Sequence, residues 1–239
     1  MESFAPSPST LKSAREFLEA SIGDRYSYNF SWLGRPIIQY PQDIVAFQEL
    51  VFNVRPDLIV ETGIAHGGSL VLSASMLCLL DVMEGLDPRQ SPRKVVGVDI
   101  DIRPHNRQAL VDHPLRFKME LIEGSSIDRE IIEQVRSHAG GRERVLVSLD
   151  SNHTHEHVFA ELNAYADLVT VGSYCIVFDT VIEDLPAGSF PDRPWDVGNN
   201  PKTAVHEWLK SHSEFEIDKE IDNKLLISVA PDGYLRRAA

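Results

Sequence analysis

Short apolar runs alternate with longer amphipathic stretches along this chain, and the two patterns predict different elements. The apolar runs predict strands at 57–61, 94–99, 118–122, 145–150 and 173–179. The amphipathic stretches predict helices at 43–52, 69–84, 104–111, 128–138, 155–166 and 201–212. Continuously apolar strands are typical of a mostly parallel sheet that carries helices on both faces. Near the end, Phe215–Lys219 and Leu225–Ala230 flank a turn-like segment at 221–224, which predicts an antiparallel hairpin. We therefore expect an α/β, Rossmann-like fold with a seven-stranded sheet.

Residues 1–40 stand apart from this alternation and predict an N-terminal cap, whereas residues 41–239 predict one domain. Within the cap, Leu11–Ala20 has the pattern of an amphipathic helix, and the aromatic segment Tyr26–Trp32 follows it. These aromatic side chains could cover an edge of the core or wall a substrate pocket. The Pro- and Gly-rich stretch Pro186–Pro201 predicts one long loop that could act as a lid.

The segment Val60–Ser69 is the strongest candidate for a binding site, because it joins an apolar strand to an apolar helix through a glycine-rich turn. Glycine allows close backbone approach, and a helix N-terminus offers free N–H groups to a ligand. Ser69 is a natural N-cap for the helix. The predicted cofactor-binding residues of this segment are Glu61, Gly63, Ala65, Gly67, Gly68 and Ser69. The alternative is a tight strand–helix connection without a ligand.

The strand-ending carboxylate of Glu61 indicates which cofactor this turn would bind. The glycine spacing does not match the G-x-G-x-x-G pattern of dinucleotide-binding turns. A carboxylate at the mouth of the turn would repel a pyrophosphate and attract a positively charged group. S-adenosylmethionine carries a sulfonium and an ammonium group and no phosphate, so the turn favours this cofactor over a nicotinamide dinucleotide.

Each of the other predicted strands is also followed by polar or acidic residues. Because ligands bind beyond the carboxyl ends of parallel strands, these residues are candidate ligand groups. Asp99 could accept hydrogen bonds from both ribose hydroxyls, with Asp101 as its rival and helix capping as the alternative. Ser125 and Ser126 could contact an adenine edge, or could form an ordinary turn.

Asp150 and Asp179 end strands that should be neighbours, and two converging carboxylates repel each other unless a cation joins them. Oxygen ligands suit Mg²⁺, which could also acidify a bound substrate hydroxyl. His153, in the loop after Asp150, could remove the proton from that hydroxyl. His155 and His157 fit a polar helix start better than a zinc site, because their spacing places them on different helix faces.

Composition narrows the choice of partners. The chain has 239 residues, a formal net charge of −13 and a pI of about 5.1, which disfavours nucleic acid and anionic membranes as partners. Cys78 and Cys175 fall in apolar runs and predict buried free thiols. With no signal peptide or membrane span in the pattern, we expect a cytoplasmic protein. The subunit count stays open, and a homo-oligomer is compatible with the sequence.

Several segments resemble the cephalosporin hydroxylase/rhamnosyl O-methyltransferase family over most of residues 30–230. They are Trp32–Pro41, Glu61–Ser69, Val98–Arg107, Glu123–Ser126 and Asp150–His155. The resemblance implies a class I S-adenosylmethionine-dependent fold, Mg²⁺ assistance and O-methylation of sugars or antibiotic intermediates.

Macrolide sugar methyltransferases look similar around the metal. Their Asp and the His three residues later, which supply a metal ligand and the base, match Asp150 and His153. Their remaining metal ligands are an adjacent Glu-Asp pair, whereas this chain has Phe178-Asp179. The first acid is therefore missing here, which implies weaker metal binding, a substitute ligand or a metal-independent enzyme.

Together these features predict an S-adenosylmethionine-dependent O-methyltransferase that acts on a hydroxyl of a small natural product or sugar. Asp150 and Asp179 would hold Mg²⁺, and His153 would be the base. Three alternatives stay open: a non-catalytic accessory protein that binds the cofactor, a nicotinamide-dependent oxidoreductase, and an oxygenase that needs iron and a reductant.

Overall fold

The structure is a computed structural model that describes residues 4–239. The strands are β1 (Phe30–Trp32), β2 (Arg35–Ile37), β3 (Leu58–Thr62), β4 (Lys94–Asp99), β5 (Met119–Glu123), β6 (Val145–Leu149), β7 (Tyr174–Val177), β8 (Phe215–Ile217) and β9 (Tyr234–Arg237). The helices are α1 (Pro8–Gly23), α2 (Pro41–Val54), α3 (Gly68–Met83), α4 (Pro104–Val111), α5 (Arg129–Ala139), α6 (His155–Tyr165), α7 (Pro201–Trp208) and α8 (Lys219–Leu225).

Seven strands form one sheet in the order β5-β4-β3-β6-β7-β9-β8, which confirms the predicted fold class. The first five strands in this order run parallel, whereas β9 runs antiparallel to both β7 and β8. The chain enters at the central strand β3, builds outward to β5 and then crosses over to β6. The strand order therefore reverses between β3 and β6, where open α/β sheets bind their ligands.

Two apolar cores cover the two faces of the sheet. Ile59 and Leu146 point into the core beneath α2 and α3, whereas Val60 and Val147 point into the core beneath α5 and α6. Every residue of β3 is buried, so this strand is sandwiched between the two cores. This double burial explains why the central strands read as continuous apolar runs in the sequence.

The C-terminal antiparallel pair exists, but the prediction for its second strand is wrong. Residues 219–225 form α8, and the strand beside β8 is β9 rather than Leu225–Ala230. Asp43 explains the difference, because its buried carboxylate accepts hydrogen bonds from the Ser228 hydroxyl and the Val229 N–H. These bonds hold the apolar segment as a loop. Helix α7 also ends at Trp208, before the predicted end at residue 212.

The N-terminal segment packs against the sheet domain. Helix α1 includes the predicted 11–20 stretch, and β1 and β2 form a separate antiparallel hairpin. Trp32 donates a hydrogen bond to Ser75 on α3, and Phe30 packs against the larger of the two cores, the one beneath α2 and α3. For Phe30 and Trp32 the structure therefore supports the packing alternative, whereas Tyr28 is exposed. The domain boundary between residues 40 and 41 stays a prediction.

Two expectations from composition can be checked directly. Cys78 on α3 and Cys175 on β7 are both free thiols, as predicted, but only Cys175 is buried, whereas Cys78 is partly exposed. Among the helices of residues 4–239, none combines the length and apolarity needed to cross a bilayer.

Candidate active site

The glycines of the β3–α3 turn are required by the packing of the protein itself. Gly63 has φ +88°, and a Cβ there would lie 2.0 Å from the carbonyl oxygen of Asp150. A Cβ at Gly68 would lie 2.2 Å from the carbonyl oxygen of Pro36. The sequence suggested that the glycines leave room for a ligand. In the structure, these two positions leave room for the loop after β6 and for β2.

Ser69 does not cap helix α3, which corrects the sequence prediction. The N-cap position is occupied by Gly67, with φ +84°. The Ser69 hydroxyl instead donates to Glu61 Oε1 at 2.6 Å, and the Ser73 hydroxyl donates to Glu61 Oε2 at 3.4 Å. Glu61 is only 2% exposed, and its burial raises the pKa of the carboxyl to about 7. These hydrogen bonds only partly offset the cost of burying the charge.

Glu61 borders a small cavity that sequence reasoning missed. The cavity measures about 20 Å³, which is room for one water-sized group. Gln39 and Asp43 also line it, and Gln39 Oε1 is buried with no hydrogen-bond partner among residues 4–239. Burial raises the pKa of Asp43 to about 6. Apolar side chains complete the lining, and the carboxyl and amide oxygens of Glu61, Asp43 and Gln39 suit an ammonium group better than an anion.

Gln39 lies in the segment Trp32–Pro41, which carries part of the family resemblance, but its side chain gave no signal of its own. Asp43 looked like an ordinary first-turn acid of a helix. Only the tertiary contacts bring both residues to the edge of the sheet.

Asp99 organises the same turn from the neighbouring strand. Its Oδ2 accepts hydrogen bonds from the N–H groups of Ile64 and Ala65, at 2.8 and 3.0 Å. Its Oδ1 accepts one from the N–H of Asp101, whose own side chain is exposed. The Ala65 N–H is therefore bound within the protein. The carboxylate of Asp99 is half-buried and retains unused lone pairs toward the edge of the sheet.

Asp150, His153 and Asp179 converge as the sequence predicted for the two acids. One ligand atom from each residue lies within 4.8 Å of the others, a spacing that can hold a metal ion. His153 Nε2 lies 3.1 Å from Asp179 Oδ2, and Gln39 donates a long hydrogen bond of 3.4 Å to Asp150 Oδ2. Burial and the nearby Asp179 carboxylate raise the pKa of Asp150 well above its ordinary value.

This carboxylate pair needs a cation or a retained proton, and its oxygen donors suit Mg²⁺. His153 is placed both to complete the ligand set and to act as a base, so its predicted role as the base stays a prediction. Phe178 occupies the position at which macrolide sugar methyltransferases would have a Glu ligand. Phe178 is buried in the larger core and lines the small cavity beside Glu61, so it supplies no ligand.

The predicted loop is observed between a short 3₁₀ turn at residues 180–184 and α7. One of its side chains reaches the acidic cluster, which consists of Asp150, His153 and Asp179. The Trp195 ring packs edge-on against His153, with ring centroids 4.7 Å apart. Glu183 accepts hydrogen bonds from the Gly198 N–H and the Asn200 amide, which ties the two ends of the loop together. The lid role of this loop stays a prediction.

The two histidines at the start of α6 have different contacts. His155 contacts Thr203 and Glu207 on α7 and serves as a link between helices. His157 is different, because its Nε2 lies 3.1 Å from the Ser126 hydroxyl oxygen. Ser125 is half-buried at the start of the same loop. The structure therefore joins Ser126 to a histidine that the sequence assigned to a polar helix start.

Comparison with known proteins identifies the family. The family model described as Rhamnosyl O-methyltransferase/CmcI matches residues 24–238. The chain belongs to this family. The match confirms the predicted family, and the family's description confirms the predicted enzyme class.

Curated relatives and solved structures agree with this assignment. The rhamnosyl O-methyltransferase of Mycobacterium tuberculosis (strain ATCC 25618 / H37Rv) is 28% identical over 229 residues, covering 94% of this chain and 84% of the relative. The Mycobacterium leprae (strain TN) enzyme of the same name is 26% identical over 232 residues, covering 94% of this chain and 90% of the relative.

Among solved structures, the Mg–SAM form of CmcI superposes with a TM-score of 0.59 at 20% identity, covering 89% of this chain and 78% of that chain. The apo form of CmcI gives a TM-score of 0.58 at 22% identity, covering 89% and 77%. At this identity the likeness confirms the fold.

The close approach of Gly63 to Asp150 can be tested with a pair of alanine variants. Gly63→Ala and Gly85→Ala both place a side chain at positive φ, but the space around Gly85 is open within 4 Å. We expect Gly85→Ala to cost about 1–2 kcal/mol and Gly63→Ala about 1–3 kcal/mol more. Urea unfolding measures both values. Equal losses would show that the contact with Asp150 is not tight.

The raised pKa of Glu61 predicts a pH dependence of stability. The folded protein holds this proton more tightly than the unfolded chain, so the stabilisation is complete below pH about 4.5 and is lost as the pH rises toward 7. Asp43 acts in the same direction between pH about 3.8 and 6.

We expect Glu61→Gln to remove on the order of 3 kcal/mol of the decline in unfolding free energy between pH 4.5 and 8. Urea unfolding at several pH values measures the slope. Glu133→Gln, at an exposed position on α5, is the control and should leave the slope unchanged. An unchanged slope in Glu61→Gln would contradict a buried, proton-holding Glu61.

Proposed function

We propose that this protein transfers the methyl group of S-adenosylmethionine to a hydroxyl of a sugar or another small natural product. The observation that carries the proposal is the convergence of Asp150, His153 and Asp179 beside the acceptor-lined cavity at Glu61. Membership of the family and the rhamnosyl O-methyltransferase names of the relatives support it. The solved Mg–SAM form of CmcI, which shares the fold, supports the choice of cofactors.

The cofactor would lie across the turn between β3 and α3. Asp99 would accept the ribose hydroxyls, and the cavity lined by Gln39 and Glu61 would accept the ammonium group. Ile100, directly after Asp99, is 74% exposed and offers apolar surface to the base. Ser125 and Ser126 follow the neighbouring strand β5 and would contact the edge of the base. Gly63, Ala65, Gly67, Gly68 and Ser69 shape the turn beneath the cofactor.

The acceptor hydroxyl would be held at the acidic cluster. Asp150 and Asp179 are the side chains that would hold Mg²⁺, which when bound would orient and acidify the acceptor hydroxyl. His153 would take the hydroxyl proton on Nε2, next to the carboxylate of Asp179. Methyl transfer is an in-line displacement, so holding the oxygen in line with the methyl carbon and the sulfur is itself a large part of catalysis.

A separate cleft of about 620 Å³, whose lining includes Val181, two residues after Asp179, has the size of a small-molecule site. Helix α1 lines one side, and Val181 and residues of the 186–200 loop line the other. Leu11 and Leu18 give it apolar surface, whereas charged side chains of both signs, among them Arg15, Glu19 and Asp222, supply hydrogen-bond donors and acceptors. Apolar surface combined with donors and acceptors suits a hydroxylated small molecule. In this proposal the helix of the cap, rather than its aromatic segment, encloses the acceptor.

Two free thiols support a reducing, cytoplasmic setting for this reaction. Homo-oligomerisation stays a prediction.

Calorimetry with S-adenosylmethionine and NAD, followed by a transfer assay with labelled S-adenosylmethionine and a panel of sugars, separates the alternatives. We expect binding of S-adenosylmethionine only, and label on at least one hydroxylated acceptor. Binding of NAD alone would favour an oxidoreductase. Cofactor binding without transfer to any acceptor would favour an accessory protein.

The metal assignment predicts a loss of metal affinity when one acid is neutralised. We expect Asp179→Asn to weaken Mn²⁺ binding, measured by electron paramagnetic resonance, about 10- to 100-fold, because the remaining donors cannot balance the charge of the ion. Asp112→Asn, at an exposed position after α4, is the matched control and should bind Mn²⁺ like the wild type. Unchanged affinity in Asp179→Asn would place the metal elsewhere.

A further inference from the structure

Two loops that are distant in the sheet meet at one histidine. Ser126 follows β5 and Ser151 follows β6, and these strands are separated in the sheet by β4 and β3. The Nε2 atom of His157, on α6, lies 3.1 Å from the Ser126 hydroxyl oxygen and 3.2 Å from that of Ser151. Tyr165, about two helix turns further along α6, donates a hydrogen bond to the carbonyl oxygen of Ser126. The loop that carries Ser126 is therefore held by both its backbone and its side chain.

A buried carboxylate sets the direction of these hydrogen bonds. Glu161 is fully buried, and its Oε1 accepts the Ser151 hydroxyl proton at 2.7 Å. Its Oε2 has no partner among residues 4–239. Because burying a carboxylate without donors is costly, the bond from Ser151 is strongly favoured. With its own proton committed, the Ser151 oxygen can only accept from His157.

The direction of the Ser126 hydroxyl proton is set in the same way. If His157 Nε2 carries the proton that Ser151 accepts, it also faces the Ser126 oxygen as a donor. Ser126 must then accept there, and its own hydroxyl proton turns away from His157. The Ser151 oxygen is the other nearby acceptor, but at 3.5 Å it is at the limit of a hydrogen bond and would yield to a better acceptor.

This arrangement is not a hydrolytic triad. Both serines and the carboxylate approach the same ring nitrogen, since Glu161 Oε1 lies 3.7 Å from His157 Nε2. A triad needs the carboxylate on the opposite ring nitrogen from the nucleophile. The network can therefore orient hydroxyl groups but has no relay for nucleophilic attack.

We propose that His157 and Glu161 are positioning residues that turn the Ser126 hydroxyl into a hydrogen-bond donor toward the cofactor. The group that Ser126 meets must be an acceptor, and on a purine base this is a ring nitrogen rather than the exocyclic amino group. This inference rests on the proposed function, because it takes the ligand at this edge to be an adenosyl cofactor.

The test uses S-adenosylhomocysteine and its 1-deaza, 3-deaza and 7-deaza analogues, each of which replaces one ring nitrogen with CH. Calorimetry with the wild-type protein should show one analogue binding roughly three- to tenfold more weakly than the parent, the range expected for one hydrogen bond. Ser126→Ala should bind the parent as weakly as that analogue and should no longer distinguish the two. If the wild type binds the parent and all three analogues equally, the proposal is overturned.

Variants of His157 test the positioning role. His157→Gln keeps an N–H donor near the position of Nε2 and should preserve the discrimination between parent and analogue. His157→Ala should reduce or abolish it. His155→Ala, on the same helix but outside the network, is the control and should behave like the wild type. Thermal unfolding of each variant shows whether it is folded at the assay temperature.

A folded His157→Ala variant with full discrimination would overturn the role of His157. If the wild type does not bind S-adenosylhomocysteine at all, it is the proposed function that fails.

Discussion

Several carboxyl groups are buried at one edge of the sheet, where burial makes their charged form costly. Burial raises the pKa of Asp43, Glu61 and Asp150, and for Asp150 the charges of the other acids add to this effect. Burying charge is among the most expensive features that a fold can contain. A cation that binds at this edge removes much of that cost, and any ligand that binds only the folded state also stabilises it. The arrangement therefore favours positively charged ligands and disfavours phosphates.

The position of these acids follows from the topology. Parallel strands bring their carboxyl ends to the same edge, and pairing of Thr62 with Val98 and with Leu149 aligns the central strand ends. The strand order reverses between β3 and β6, and the turn at Gly63 and the loop at Asp150 follow these two strands at that edge. The tight contact between Gly63 and Asp150 then fixes the β3–α3 turn relative to the loop after β6.

The sequence predicts this framework well because it is encoded locally. All five central strands and their helices were predicted to within a few residues, since burial on both faces leaves an uninterrupted apolar run. The errors arise where a distant partner decides the local structure. Residues 225–230 have an apolar pattern but form a loop, because the carboxylate of Asp43 binds Ser228 and Val229. Serine is a common helix N-cap residue, but the Ser69 hydroxyl donates its hydrogen bond to the carboxylate of Glu61. The contacts of Gln39 and His157 join segments far apart in the chain, so no local pattern reports them.

The contact between β2 and helix α3 has a consequence for how such enzymes diversify. Gly68 can only be a glycine while the backbone of Pro36 lies against it, and the Trp32 indole is bonded to Ser75 on the same helix. The β1–β2 hairpin is thus fitted to α3, the helix that follows the glycine-rich turn. Exchanging the first forty residues between relatives would replace the hairpin without replacing the surface of α3 that it contacts. If α1 and the 186–200 loop enclose the acceptor as proposed, substitutions within them change the acceptor preference while leaving this surface intact, whereas exchange of the whole cap disturbs it.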